Sequence, residues 1–495
     1  MELTNKKTNY IKNTFFYVGI PILRNILAFI TLPIMTRFLS PADYGVLSLI
    51  MMISSFCAMF YMGINNASYR YYFKYNDDIQ KLRAMFSSNL VFLLGVSLAY
   101  GILLYFAFPT LNQWLFRGRL AFVWVLIAFI QFALGYINLI NQNIFQNQHQ
   151  GKKWFLNEVV SLVILTGFSI ILVLTGKFTF EAIILASISA EIVKSVILFS
   201  QLREYYGILF SKIFLKETFL YSWPQLPTAL IGFGYSYFDK ILLSRFQGLY
   251  QVGILDIGSR ISSIMKMSID GVSGVLSPLT LELLKENTKE SIKKLADLNL
   301  KITFLLLFIG FSIILSTKEI VHILTPKDYH FVIYVVPIYI YYHIFGVLGL
   351  ISYWLIYYHP SKTFWAMPIN LVFSMASIFA NILLIPKFGV MGAAFAAFIA
   401  AALAQGAQLF IGLRITPVPI DRGRLALMLG TLFAGTAFLY FLYYIDLNII
   451  VEISIKLFML LLFVLIAVIA RIINFGEIKE LVAILTRKMQ RDVPG

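Results

Sequence analysis

Fourteen stretches of mostly apolar residues follow one another through the chain: 14–39, 43–67, 84–108, 120–146, 156–176, 180–200, 218–244, 250–280, 298–316, 330–357, 363–385, 390–412, 425–445 and 449–470. A helix crosses the hydrocarbon core of a bilayer in about 20 residues, and these stretches reach that length. They cannot all be hidden inside a water-soluble core. Hydrophobic residues make up 59% of the chain and charged residues 13%, whereas a soluble domain carries roughly 25% charged residues. The same balance excludes disorder. A disulfide framework is excluded because Cys57 is the only cysteine. A β-barrel would show short alternating segments, not long continuous runs. The fold class expected is therefore an all-α polytopic membrane protein with about 14 transmembrane helices.

The joints carry turn chemistry: Ser40-Pro41-Ala42-Asp43, Phe108-Pro109, Gly151-Lys152-Lys153, Thr175-Gly176-Lys177, Thr325-Pro326-Lys327, His359-Pro360 and Pro386-Lys387. None is long enough to hold a separate soluble domain. The first span is too long for a cleaved signal peptide, and no small-residue cleavage pattern follows it. Basic residues set the orientation. The clusters Lys6/Lys7/Lys12, Arg70/Lys74/Lys81/Arg83, Lys285/Lys289/Lys293/Lys294/Lys301 and Arg471/Lys479/Arg487/Lys488/Arg491 all fall on one side of a fourteen-span chain. That side is expected to be cytoplasmic, with both termini. The net charge of +16 then marks cytoplasmic loops and does not require nucleic acid. Segments 201–217 and 475–491 mix apolar and basic residues and read equally well as surface-lying helices or solvated loops.

The chain matches itself at an offset of 208. Arg37-Phe38-Leu39-Ser40-Pro41-Ala42-Asp43-Tyr44-Gly45-Val46 lies against Arg245-Phe246-Gln247-Gly248-Leu249-Tyr250-Gln251-Val252-Gly253-Ile254, and over 36–55 seven of twenty residues are identical. Six spans separate the copies, so both halves have the same membrane orientation. This is the pattern of a parallel repeat, as in transporters with two lobes around a central path. The expected lobes are 1–205 (spans 1–6) and 206–420 (spans 7–12), with 421–495 adding two spans and a cytoplasmic tail.

An ionisable side chain at the bilayer centre costs about 2.5–3.5 kcal/mol on insertion scales, so such residues face an interior or a cavity. Span 8 gathers Asp256, Ser259, Arg260, Ser263, Lys266 and Asp270 on one helical stripe. Ile254, Ile257, Ile261, Met265, Val272, Leu276 and Leu279 lie opposite. The stripe suits a polar cavity. It also suits self-neutralisation, because Asp256/Arg260 and Lys266/Asp270 are four apart, as are Glu452/Lys456, with Glu191/Lys194 three apart. Arg24 in span 1 has no acid at helical spacing on its own helix; either another helix or an anionic ligand is its partner. Its planar fork suits a diphosphate. Asp239 and Lys240 sit side by side in span 7. The amides Gln131, Asn138, Asn141, Gln142, Asn143 and Gln146 in span 4 suit helix packing or sugar hydroxyls. Pro21 and Pro33 in span 1 and Pro224 and Pro227 opening span 7 are candidate hinges. Gly392-Ala393-Ala394 through Gly406 is a small-residue packing surface.

The sequence has no GxxxxGK[ST] loop, no HExxH, no CxxC pair and no GxSxG elbow. The five histidines lack metal-ligand spacing. No enzyme activity and no cofactor are expected. A transport cycle would draw on an ion gradient, the membrane potential or substrate consumption, with Na+ or H+ as candidate coupling ions at Asp270, Asp256 or Glu191.

Four stretches carry a resemblance. They are Leu32-Pro33-Ile34-Met35-Thr36-Arg37-Phe38-Leu39-Ser40-Pro41-Ala42-Asp43-Tyr44-Gly45; Tyr221-Ser222-Trp223-Pro224-Gln225-Leu226-Pro227; Asp239-Lys240-Ile241-Leu242-Leu243-Ser244-Arg245-Phe246 with Val252-Gly253-Ile254 and Arg260; and Leu383-Leu384-Ile385-Pro386-Lys387-Phe388-Gly389-Val390-Met391-Gly392-Ala393-Ala394. In these the chain resembles Wzx-type polysaccharide flippases of the multidrug/oligosaccharidyl-lipid/polysaccharide (MOP) exporter superfamily. The resemblance implies two six-helix lobes around a cationic cavity, worked by alternating access. Its implied substrate is an undecaprenyl-diphosphate-linked oligosaccharide repeat unit for O-antigen, capsule or exopolysaccharide. Carried over by position, Arg24 and Arg260 are diphosphate contacts and Arg70 is a first contact at the cytoplasmic side. Lys266 and Lys240 complete the candidate substrate-binding set. Asp239, at a position often acidic in the family, is an ion-pair or coupling candidate with Asp256, Asp270 and Glu191. Membrane lipid, a polysaccharide polymerase and chain-length proteins are the expected partners. A multidrug exporter of the same superfamily, a lipid II flippase and a membrane glycosyltransferase or polymerase are the alternatives. The first would want a carboxylate-rich cavity. The last would want a large outer loop or catalytic acids outside the bilayer.

Overall fold

A computed structural model of the chain describes residues 2–61, 63–207, 209–443, 445 and 448–473. The basic residues Lys479, Arg487, Lys488 and Arg491 and the segment 475–491 lie outside these. Among the described residues the chain is helical, with no strand. By contact density it falls into two compact units. The first comprises 1–256, 322–330 and 381–390, and the second 257–321, 331–380 and 391–495.

The first unit holds α1 (Glu2–Phe38), α2 (Pro41–Phe56), α3 (Ile64–Tyr75), α4 (Ile79–Phe116), α5 (Phe122–Asn147), α6 (Gly151–Leu174), α7 (Phe180–Gln201), α8 (Lys212–Ser222), α9 (Leu226–Gln247) and the first two turns of α10 (Leu249–Glu286). Helices α5, α6 and α7 pack on one another, α1 lies along α6, and α2 and α3 lean on α5. The second unit holds the rest of α10, α11 (Lys289–Leu315), the first turn of α12 (Thr317–Leu324), α13 (Val332–Tyr357), most of α14 (Ala366–Ile415), α15 (Arg422–Leu442) and α16 (Ile449–Ile469). In it α11 packs against α13, α15 and α16.

Eleven of the described helices are long and apolar enough to cross a membrane. One of them is α14, in which Gly389 (φ 57°, ψ −131°) interrupts the helix, so it supplies two crossings. The joint falls at Gly389 and not at Pro386-Lys387 because only glycine adopts that conformation without strain. Helices α9 and α10 are not among the eleven, since they carry the charges Asp239, Lys240, Asp256, Arg260, Lys266 and Asp270. At 22 residues and 38 residues they are still long enough to span. With these the fourteen crossings are accounted for. Large apolar side chains stay exposed along the outside of the helices, as at Phe106, Leu98, Val196, Met375 and Leu461. In water this would be an aggregation surface; in lipid it is the solvated face.

Local chemistry explains the breaks. Ser40 caps α2: its Oγ accepts from the Asp43 N–H, the Asp43 carboxylate accepts from the Ser40 N–H at 2.8 Å, and Pro41 takes the first helical position. Span 2 is not one helix. It breaks after Phe56 into a short 3-10 turn and restarts at Gly63 (φ 70°) as α3. Span 7 opens with a 3-10 turn, Trp223–Gln225, between α8 and α9, where Pro224 removes a backbone donor. Pro21 and Pro33 lie inside an uninterrupted α1. Segment 201–217 is mostly not a surface helix: a 3-10 turn at Arg203–Tyr205 leads into extended backbone, and α8 begins only at Lys212.

Candidate functional site

Glu158, on α6, is the centre of a charged node in the first unit. Arg24 Nη2 of α1 donates to Glu158 Oε2 at 3.0 Å, and Lys194 Nζ of α7 donates to Glu158 Oε1. Glu158 and Lys194 are buried, whereas the Arg24 side chain is 59% exposed. One acid thus holds two cations and the node keeps a net positive charge. Of the five guanidinium donors of Arg24, the bond to Glu158 uses one at Nη2. Lys194 takes Glu158 in place of its neighbour Glu191. Glu191 instead accepts from Asn138 Nδ2 at 2.8 Å, and Asn138 Oδ1 accepts from Ser195 Oγ. Of the span 4 amides, Asn138 and Asn143 join neighbouring helices, Asn143 Nδ2 donating to Asn65 Oδ1 at 2.6 Å, whereas Gln131 Oε1, Asn141 Nδ2 and Gln142 Nε2 are buried without a hydrogen-bond partner. No feature of the span 1 helix alone reveals Glu158. The signal available was an acid at the third position of the apolar run 156–176.

A second node joins α2, α9 and α10. Lys240 Nζ donates to Ser48 Oγ at 2.6 Å and to Asp256 Oδ1 at 3.1 Å, and Ser48 Oγ donates to Asp256 at 3.1 Å. Asp239 turns back on the chain and accepts from the Lys240 N–H at 2.7 Å. Ser48 and Asp256 are equivalent positions of the repeat. Beside them, a Cβ on Gly45 would overlap the Leu249 carbonyl, and a Cβ on Gly253 would overlap the Pro41 carbonyl. The contact is isologous: each first residue meets the other copy's glycine, as a local two-fold axis requires. Glycine lets the two backbones touch.

On α10 the wheel is partitioned as far as Met265, beyond which Val272, Leu276 and Leu279 of the apolar face are only half-buried. Ile254, Ile257, Ile261 and Met265 are fully buried, whereas Arg260, Lys266 and Asp270 are exposed. Asp256 is the one member of the stripe that is buried and ion-paired to Lys240.

Arg70 sits on α3 with its guanidinium 4.8 Å from the centre of the Tyr221 ring of α8. One turn on, Lys74 pairs with Glu217 at 3.1 Å, and Tyr75 Oη donates to the same Glu217 Oε2 at 2.6 Å. This cation–aromatic edge lies where span 2 meets its basic connection. In the second unit Glu452 and Lys456 do pair along α16, at 2.8 Å, but each also reaches α12: Lys318 to Glu452 at 2.8 Å and Lys456 to Glu319 at 2.5 Å. Sequence reading missed Lys318 and Glu319, which lie in a polar joint with no helical partner of their own.

The fold is that of the MOP superfamily of membrane transporters. The lipid II flippase MurJ, in an inward closed conformation, superimposes with a TM-score of 0.68 at 16% identity, over 94% of this chain and 100% of that one. An inward-facing multidrug resistance MATE family transporter of the MOP superfamily gives 0.60 at 14% identity, over 80% and 95%. An outward-facing one gives 0.53 at 14%, over 83% and 95%. No curated protein sequence matches the chain. The sequence model of the polysaccharide biosynthesis protein family matches residues 10–284, more than half of the chain. The chain belongs to that family.

Proposed function

We propose that the protein is a flippase that moves undecaprenyl-diphosphate-linked oligosaccharide repeat units from the cytoplasmic to the outer leaflet for surface polysaccharide. On this reading residues 1–205 and 206–420 form the two lobes, which alternate access to a cavity between them. The lipid tail stays in the bilayer while the charged head and sugars cross. The observation that carries the reading is the exposed cation of Arg24 within span 1, anchored through Glu158, in a chain of the polysaccharide biosynthesis family. Arg260 and Lys266, exposed on the polar stripe of α10, add positive potential. That potential offsets the cost of bringing a diphosphate into low dielectric. Among the acids proposed for a coupling cation, Asp270 is exposed, while Asp256 and Glu191 already accept from Lys240 and Asn138. The family and the fold neighbours are transport proteins, which supports a non-enzymatic role.

The test is complementation of a strain lacking its repeat-unit flippase. Wild-type chain is expected to restore surface polysaccharide. Arg24→Glu is expected to abolish it at equal membrane abundance, and Arg24→Lys to restore part of it. Normal polysaccharide with Arg24→Glu removes Arg24 from the site. A lipid II flippase is the second reading, favoured by the full coverage of MurJ. Rescue of a strain depleted of lipid II flipping, without rescue of polysaccharide export, would select it.

A further inference from the structure

The second unit contains a cavity of about 470 Å3 that the transport reading does not use. It opens where the polar first turns of α11 meet the start of α15. Lys289, Lys293 and Arg424 stand at its rim; Leu300, Leu348 and Leu409 are among the side chains of its apolar wall. Lys289 and Lys293 are one helical turn apart and share a face of α11. The two acids of the lining are already matched: Asp297 pairs with Lys301 at 3.1 Å and Asp421 with Arg424 at 3.2 Å. The lysines therefore give the rim an excess positive charge.

The position along the helices matters as much as the charge. Helix α15 turns from Arg422-Gly423-Arg424 into an uncharged, mostly apolar run at Leu425, and α11 turns apolar after Lys301. The cavity thus straddles the level at which polar headgroups give way to hydrocarbon, with cations on the wet side and leucines on the oily side. Basic pockets between transmembrane helices at this depth bind anionic lipid headgroups. We propose that this cavity is a binding site for an anionic glycerophospholipid. The phosphodiester would lie against Lys289 and Lys293, with the first acyl carbons against Leu348 and Leu409.

The site can be tested without any transport assay. The full-length protein is released from nanodiscs of mixed cardiolipin and phosphatidylcholine, and retained lipid is counted by native mass spectrometry. Wild type should keep cardiolipin over phosphatidylcholine. Each rim lysine is worth about fivefold in affinity, so Lys289→Gln/Lys293→Gln should lose retention by roughly 30-fold. Lys285→Gln/Lys294→Gln removes equal charge from neighbouring exposed positions outside the lining and should lose little. Leu348→Trp fills the apolar wall with every charge intact and should also displace the lipid. Equal loss in both lysine pairs would reduce the effect to general surface charge and overturn the site. So would wild-type retention by Leu348→Trp, or equal retention of phosphatidylcholine. Nanodiscs doped with undecaprenyl diphosphate separate the two lipid sources: selective loss of that lipid from the Lys289→Gln/Lys293→Gln variant, with cardiolipin retained, would also overturn the proposal.

Discussion

Gly45 and Gly253 each occupy the one place where a side chain would drive into the backbone carbonyl that opens the other's helix: Leu249 for Gly45, Pro41 for Gly253. They are 208 residues apart, the offset of the internal repeat, and between them Ser48 bonds to its own equivalent, Asp256. A duplicated helix start that meets its copy in this way has a self-complementary surface, so a change in either glycine acts on the same crossing.

Gly45→Ala and Gly253→Ala should each destabilise the protein by about 1–3 kcal/mol, the usual cost of overpacking. Gly95→Ala, where an added Cβ meets nothing within 4 Å, should be neutral or slightly stabilising. Thermal unfolding of the purified variants in detergent reads the difference; equal transitions for Gly45→Ala and Gly95→Ala would contradict the crossing.

Glu158→Gln should be more damaging than loss of either cation it binds. It leaves Lys194 buried without its acid, and breaking a buried pair from one side costs about 3–5 kcal/mol. Glu158→Leu/Lys194→Met removes both charges of the buried pair and should recover much of the stability. Membrane abundance and thermal transitions of the single and double variants test this.

Exchanging the charges of α16, Glu452→Lys/Lys456→Glu, keeps the pairing along the helix. It nevertheless sets a lysine against Lys318 and a carboxylate against Glu319. The exchange should therefore lower stability as much as a single substitution does. Wild-type unfolding of the exchanged variant would mean that the contacts to α12 contribute nothing.

Acid should release α8 from α3. The hydrogen bond from Tyr75, and then Lys74, hold the Glu217 carboxyl below its ordinary value of 4.5. A depressed carboxylate stabilises the fold in full above its unfolded value, and that contribution disappears as pH falls below 4.5 through the folded value. Proteolysis of the 206–217 connection should accelerate in that window and stay flat at neutral pH. In Tyr75→Phe the step should shrink and move up toward 4.5.

Much of the molecule was legible in the sequence because membrane folding leaves few choices. Apolar length counts most of the crossings, the charged α9 and α10 being marked by helix length, and Gly or Pro punctuation places most joints. The joint of α14 was misplaced by a few residues, since Pro386 is tolerated within a helix whose backbone turns at Gly389. On α10 the 3.6-residue period separated Ile254, Ile257 and Ile261 from Arg260, Lys266 and Asp270, because burial follows the face of a helix. Pairing was harder to read. Glu191 and Lys194 share a helix and look like partners, but Lys194 reaches Glu158 on the neighbouring helix.

The sequence by itself determined an all-helical membrane chain, its crossings, the 208-residue echo and which face of α10 is polar. Each of these depends on local length, composition or period. Only the tertiary structure decided which charge answers which. Arg24 and Glu158 are 134 residues apart and Lys318 and Glu452 likewise. In a bilayer a charge must be met by whatever helix packs beside it, and packing neighbours are set by the whole fold and not by spacing along one strand of sequence.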